Sequence, residues 1–97
     1  MDMVVNYMKM TQILYIEYSV MIYSKIYQLT KKYNLGSISL EQDIDDQYHY
    51  VFVIQIPKNY EYKQALKIWD KIISEIELYS ISRGYEKFFK NIQIILR

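Results

Sequence analysis

Only three residues in this 97-residue chain break backbone regularity: Gly36, Pro57 and Gly84. Glycine admits left-handed backbone and proline removes a hydrogen-bond donor, so these positions mark where elements must end. Before Gly36, Ile22, Ile26, Leu29 and Tyr33 follow a 4, 3, 4 spacing that predicts a helix from about Ser19 to Tyr33. Asn34-Leu35-Gly36 reads as its end, with Gly36 in the left-handed position and Lys31-Lys32 at the negative pole of the helix dipole. Residues 37–42 alternate polar and apolar as an edge strand does, 43–47 form an acidic turn, and 48–56 are dense in aromatic and β-branched residues up to Pro57. A second helix is predicted from an Asn59 N-cap, burying Ala65, Leu66, Trp69, Ile72, Ile73 and Ile76, with Gly84 as outer limit. Residues 88–96 close the chain as a strand.

Half of the residues are apolar, with Ile and Tyr in excess, so disorder and collagen-like repeats are excluded. A chain of this length buries only about 60–65% of its unfolded surface, and a dimer interface would help it. The net charge of +1 indicates no polyanionic partner, and the absence of Cys removes disulfides, thiolate nucleophiles and Cys-bound zinc together. The N-terminus lacks the plan of a signal peptide, and the most apolar window is interrupted by Glu17 and Lys25, so no membrane span and a cytoplasmic location are expected.

Residues 11–18 admit two readings. As a strand they complete β-α-β-β-α-β, an α+β two-layer sandwich of ferredoxin-like type with an antiparallel sheet. Residues 1–10 are then an N-terminal extension and 11–97 one domain. As helix they join 19–33, because Ile13, Ile16, Val20, Tyr23 and Tyr27 also share a face, giving α-β-β-α-β with one long N-terminal helix. β-branched and aromatic density favours the strand, and a helix of about 30 residues is far above average length.

In the ferredoxin-like order, helices cover one face of the sheet. The parity of 48–56 turns Tyr50, Phe52, Ile54 and Ile56 toward them and leaves His49, Val51, Val53 and Gln55 on the open face. Ile13 and Tyr15 would join that patch from the first strand, rimmed by Ser37, Ser39, Glu41, Asn91 and Gln93. An apolar centre with a polar rim is the anatomy of an interface. The expected function is therefore a non-enzymatic interaction module that forms a homodimer or binds a protein partner through His49, Val51, Val53, Ile13 and Tyr15.

The alternative is a module for single-stranded nucleic acid, stacking bases on Tyr15, Tyr50 and Phe52 and contacting phosphates with Lys63, Lys67 and Lys71. Leu14-Tyr15-Ile16 and Tyr50-Val51-Phe52-Val53 are similar to the two short segments of RNA recognition motifs, although Tyr48 and His49 stand where a basic residue and Gly would precede Tyr50. Hairpin register separates these readings. A two-residue turn at Asp45-Asp46 puts Leu40 beside Val51 and exposes Tyr50 and Phe52, whereas a three-residue turn puts Leu40 beside Tyr50.

Catalytic machinery is not visible. There is no second His, no Gly-rich phosphate loop and no Ser in a nucleophile-elbow context. Asp43, Asp45, Asp46 and His49 lack the Gly and distal Glu of a calcium loop, so no metal and no cofactor is expected. Glu17 reads as a strand-end residue reaching water.

Overall fold

A computed structural model describes residues 2–41 and 50–97. The elements run α1 (Asp2–Lys32), β1 (Ile38–Glu41), β2 (Tyr50–Ile54), α2 (Tyr62–Ser82), α3 (Glu86–Phe89) and β3 (Ile92–Leu96). The fold is a small α+β domain with a three-stranded mixed sheet in the order β1-β2-β3. β1 pairs antiparallel to β2, and β2 pairs parallel to β3 across the α2 connection.

Residues 11–18 are helical, so the β-α-β-β-α-β ferredoxin-like order and the all-antiparallel sheet give way to α-β-β-α-β. Local β-branched and aromatic density argued for a strand, but tertiary pattern outweighs it. Tyr18, Ile22, Ile26 and Leu29 recur every three or four residues on one buried stripe, and no Gly or Pro interrupts the chain before Gly36. Ser19, where the sequence spacing starts the helix, lies inside α1 and its Oγ donates to the Ile16 carbonyl at 2.7 Å. Residues 2–10 belong to the same helix rather than to a separate extension.

The left-handed residue that ends α1 is Asn34, with φ of 55°, and not Gly36. Leu35 N–H reaches the Thr30 carbonyl at 2.7 Å and Asn34 N–H the Lys31 carbonyl at 3.3 Å, the two closures of a Schellman cap. Gly36 serves a different need, since a Cβ there would lie 3.1 Å from both the Cβ and the carbonyl oxygen of Gln55. α2 begins two residues later than an Asn59 cap requires, with Glu61 as N-cap and its N–H donating to Gln64 Oε1 at 3.1 Å. At its end Gly84 takes φ of 81° and Tyr85 N–H closes on the Ser80 carbonyl at 2.8 Å. Residues 86–89 then form the short helix α3, which brings Phe88 and Phe89 against the core, and the strand expected from 88 begins only at Ile92.

Helices α1 and α2 lie on one face of the sheet. The core joins Tyr18, Ile22, Ile26 and Leu29 of α1, Phe52 and Ile54 of β2, Ile72 and Ile76 of α2, and Ile92 and Ile94 of β3. Phe52 and Ile54 thus face the helices, as the strand parity predicted. Leu40 stands beside Phe52, a register with the parity of the three-residue turn but shifted along the strand; the turn itself lies outside the described residues. One polar contact crosses the buried interior: Tyr18 hydroxyl and Ser80 Oγ are 2.9 Å apart, and both residues are fully buried. Burial pushes the Tyr18 phenol up to about 12, partly offset by the Ser80 hydrogen bond.

Candidate interaction surface

The sheet face away from the helices carries Ser39 and Glu41 of β1, Val51 and Val53 of β2, and Gln93 and Ile95 of β3. Val51 and Val53 are the expected apolar centre, yet each is only 7% exposed although no helix covers them. Arg97 and Glu41 approach to 3.8 Å from opposite edges of the sheet, and Ser37 Oγ donates to Gln55 Oε1 at 3.1 Å. The ion pair is largely exposed and adds little stability. Beside the two valines the open face presents Ser39, Glu41 and Gln93, all exposed, and the half-buried Ile95. Without a strand at 11–18, the residues that would have widened the apolar patch are elsewhere.

Ile13 and Tyr15 are on α1 and contribute nothing to the sheet, while His49 lies outside the described residues, as do Asp43, Asp45 and Asp46. The stacking platform of the nucleic-acid reading is not assembled: Tyr15 is helical, Phe52 is fully buried beneath the helices and Tyr50 packs against the same core. Lys63, Lys67 and Lys71 are exposed along α2, apart from all three. Glu17 is exposed on α1 rather than at a strand end.

Two other surfaces are apolar. The first is a groove of about 450 Å³ between α2 and β3, lined by Tyr62, Leu66, Trp69, Ile94 and Leu96 among others. β3 is an edge strand here, since Arg97 N–H and carbonyl bond to Ile54 and Ile56 and the alternate residues Ile94 and Leu96 turn their backbone groups outward. The Trp69 ring nitrogen donates to the Ile94 carbonyl at 2.9 Å, so the indole satisfies and covers the middle of that edge.

The second is the outer face of α1. At about 100° per residue, Tyr18, Ile22, Ile26 and Leu29 point to the core, and Ile16, Val20, Tyr23 and Tyr27 fall on the opposite side. Those four are 54%, 66%, 39% and 49% exposed. An ordinary surface helix has one apolar stripe and a polar back. α1 has two apolar faces, one used within the fold and the other open to water. The sequence spacing groups Ile13, Ile16, Val20, Tyr23 and Tyr27 on one face, a pattern that bore there only on whether residues 11–18 are helix.

The remaining polar groups carry no visible chemistry. Lys32 Nζ meets Glu75 Oε1 at 2.9 Å, which raises the lysine's pKa, and Glu75 Oε2 has no hydrogen-bond partner among the described residues. Among the described residues no three His, Cys, Asp or Glu side chains cluster as metal ligands, and no helix is long and apolar enough to cross a membrane. The chain matches no family model, no curated protein and no solved structure.

Proposed function

We propose that this protein is a non-enzymatic interaction module that associates with itself or with a protein partner through the outer face of α1. The observation that supports this reading most is the second apolar stripe, Ile16, Val20, Tyr23 and Tyr27, on a helix whose other face already fills the core. Contiguous apolar surface of this kind marks contacts more often than chance exposure does, and tyrosine is enriched in interfaces because one end is apolar and the other tolerates water. The 4, 3, 4 spacing of the stripe is that of helices that pack side by side. By contrast, Val51 and Val53 on the sheet face are each only 7% exposed.

Amide chemical shifts followed through a dilution series of isotope-labelled protein test this directly. Shifts that move with concentration at Ile16, Val20, Tyr23 and Tyr27 support self-association through α1. Movement confined to Ser39, Gln93 and their neighbours would return the interface to the sheet. Spectra that do not change with concentration would remove self-association.

A further inference from the structure

The flank of the outer stripe carries charges in a particular order. Glu17, Ser24 and Lys31 are spaced seven residues apart, so they line one side of Ile16, Val20, Tyr23 and Tyr27 along α1. The acid stands at the N-terminal end of the stripe and at the middle of α1, the base in the last turn of the helix, and a small serine midway between them. All three are exposed, and among the described residues Glu17 has no ion-pair partner while Lys31 only lies over the Tyr27 ring at 4.6 Å. The opposite flank is Ser19 and Thr30, both buried in the fold and uncharged.

This asymmetry selects a pairing mode. A two-fold axis normal to a pair of antiparallel helices sets like flanks against each other, whereas parallel helices set unlike flanks together. Resting on the reading of α1's outer face as the docking surface, we propose that its occupant is a second copy of this chain, laid antiparallel about a two-fold axis near Ser24. Glu17 of each copy then meets Lys31 of the other, twice by symmetry, while Val20 packs against the partner's Tyr27 and Tyr23 lies across the axis. A parallel pair would press the charged flank onto Ser19 and Thr30 and leave both charges without partners. The stripe from Ile16 to Tyr27 spans about 16 Å of helix, and its tyrosines are half exposed, so the contact is smaller than the roughly 800 Å² per partner of a standard interface. The dimer is accordingly weak, micromolar or looser, and concentration-dependent.

Sedimentation equilibrium with charge reversal tests the arrangement. Glu17→Lys and Lys31→Glu each place like charges at both ends of the seam and should weaken the dimer on the order of tenfold, and the double variant should restore it to within about twofold. Circular dichroism of each variant confirms that these exposed substitutions leave the fold intact. A wild-type chain that stays monomeric at every concentration overturns the second copy as occupant. A dimer that ignores the charge reversals but is lost with Val20→Lys overturns the antiparallel register and leaves the α1 surface standing. A dimer that also ignores Val20→Lys overturns the α1 surface itself.

Discussion

The hydrogen bond between Tyr18 and Ser80 fastens the N-terminal part of the buried α1 stripe to the last turns of α2. The hydroxyl groups are 2.9 Å apart in a fully buried setting, and the Tyr18 ring is held between Tyr85 and Phe88 at centroid distances of 5.4 and 5.8 Å. Ser80→Ala removes the phenol's partner while leaving the phenol buried, which costs its desolvation, about 1–3 kcal/mol. Tyr18→Phe leaves Ser80 behind, but a helical serine can turn its hydroxyl onto a carbonyl of its own preceding turn, so the cost falls to about 0.5–1.5 kcal/mol. In the double variant no buried hydroxyl lacks a partner, and its stability should lie close to that of Tyr18→Phe alone. The two losses are thus non-additive by the whole Ser80→Ala cost, about 1–3 kcal/mol, and each kcal/mol corresponds to roughly 4–8 °C in Tm for a domain of this size. Denaturant unfolding of the four proteins, followed by circular dichroism at the lowest workable concentration to keep dimer formation out of the equilibrium, measures this. Additive losses, or a Ser80→Ala variant as stable as the wild type, would refute the view that this bond closes the helix pair.

Three further outcomes follow from the same geometry. The folded Tyr18 phenol titrates at about 12 against 10.0 for a free phenol, so the unfolded chain releases this proton first. Its contribution is fully present below pH 10 and is lost as pH rises toward 12, by about 2–3 kcal/mol in all; urea melts at pH 9 and pH 11 should fall further for the wild type than for Tyr18→Phe, and parallel losses would contradict it. Asn34 holds φ of 55°, so Asn34→Ala should destabilise by about 1 kcal/mol and Asn34→Gly by none, read from thermal melts. Trp69→Phe removes the donor to the Ile94 carbonyl and uncovers the middle of the β3 edge; about 0.5–1.5 kcal/mol of stability and a rise in light scattering on storage are expected, and unchanged scattering would show that the indole does not guard the edge.

Much of the domain was legible in the chain. The parity of β2 and part of the α2 stripe follow from spacing, and the structure buries Phe52, Ile54, Ile72 and Ile76, whereas Leu66 of that stripe is 45% exposed and Trp69 is half-buried with its ring nitrogen on the Ile94 carbonyl. Residues 11–18 were misread because a run rich in isoleucine and tyrosine has strand propensity locally, and only the continuity of the stripe from Tyr18 to Leu29 reveals the helix. With 11–18 helical, Ile13 and Tyr15 do not join Val51 and Val53 in the sheet, so the apolar patch expected there loses the share of a central strand. The short helix α3 was hidden for a related reason: Phe88 and Phe89 reach the core equally well from a turn of helix as from a strand. Asn34 and Gly36 exchanged roles because left-handed backbone and lack of room for a Cβ both call for small or turn-forming residues, and sequence alone does not tell which need a position meets.

The most direct test is sedimentation velocity of three proteins through a common concentration series: the wild type, Val20→Lys on the outer face of α1, and Ser39→Arg on the open face of the sheet. Both positions are exposed, so neither change disturbs the core. The wild type and Ser39→Arg should rise together from the 11.9 kDa monomer toward twice that mass, with Val20→Lys remaining monomeric. A Val20→Lys protein that dimerises like the wild type while Ser39→Arg does not would contradict the assignment and return the interface to the sheet.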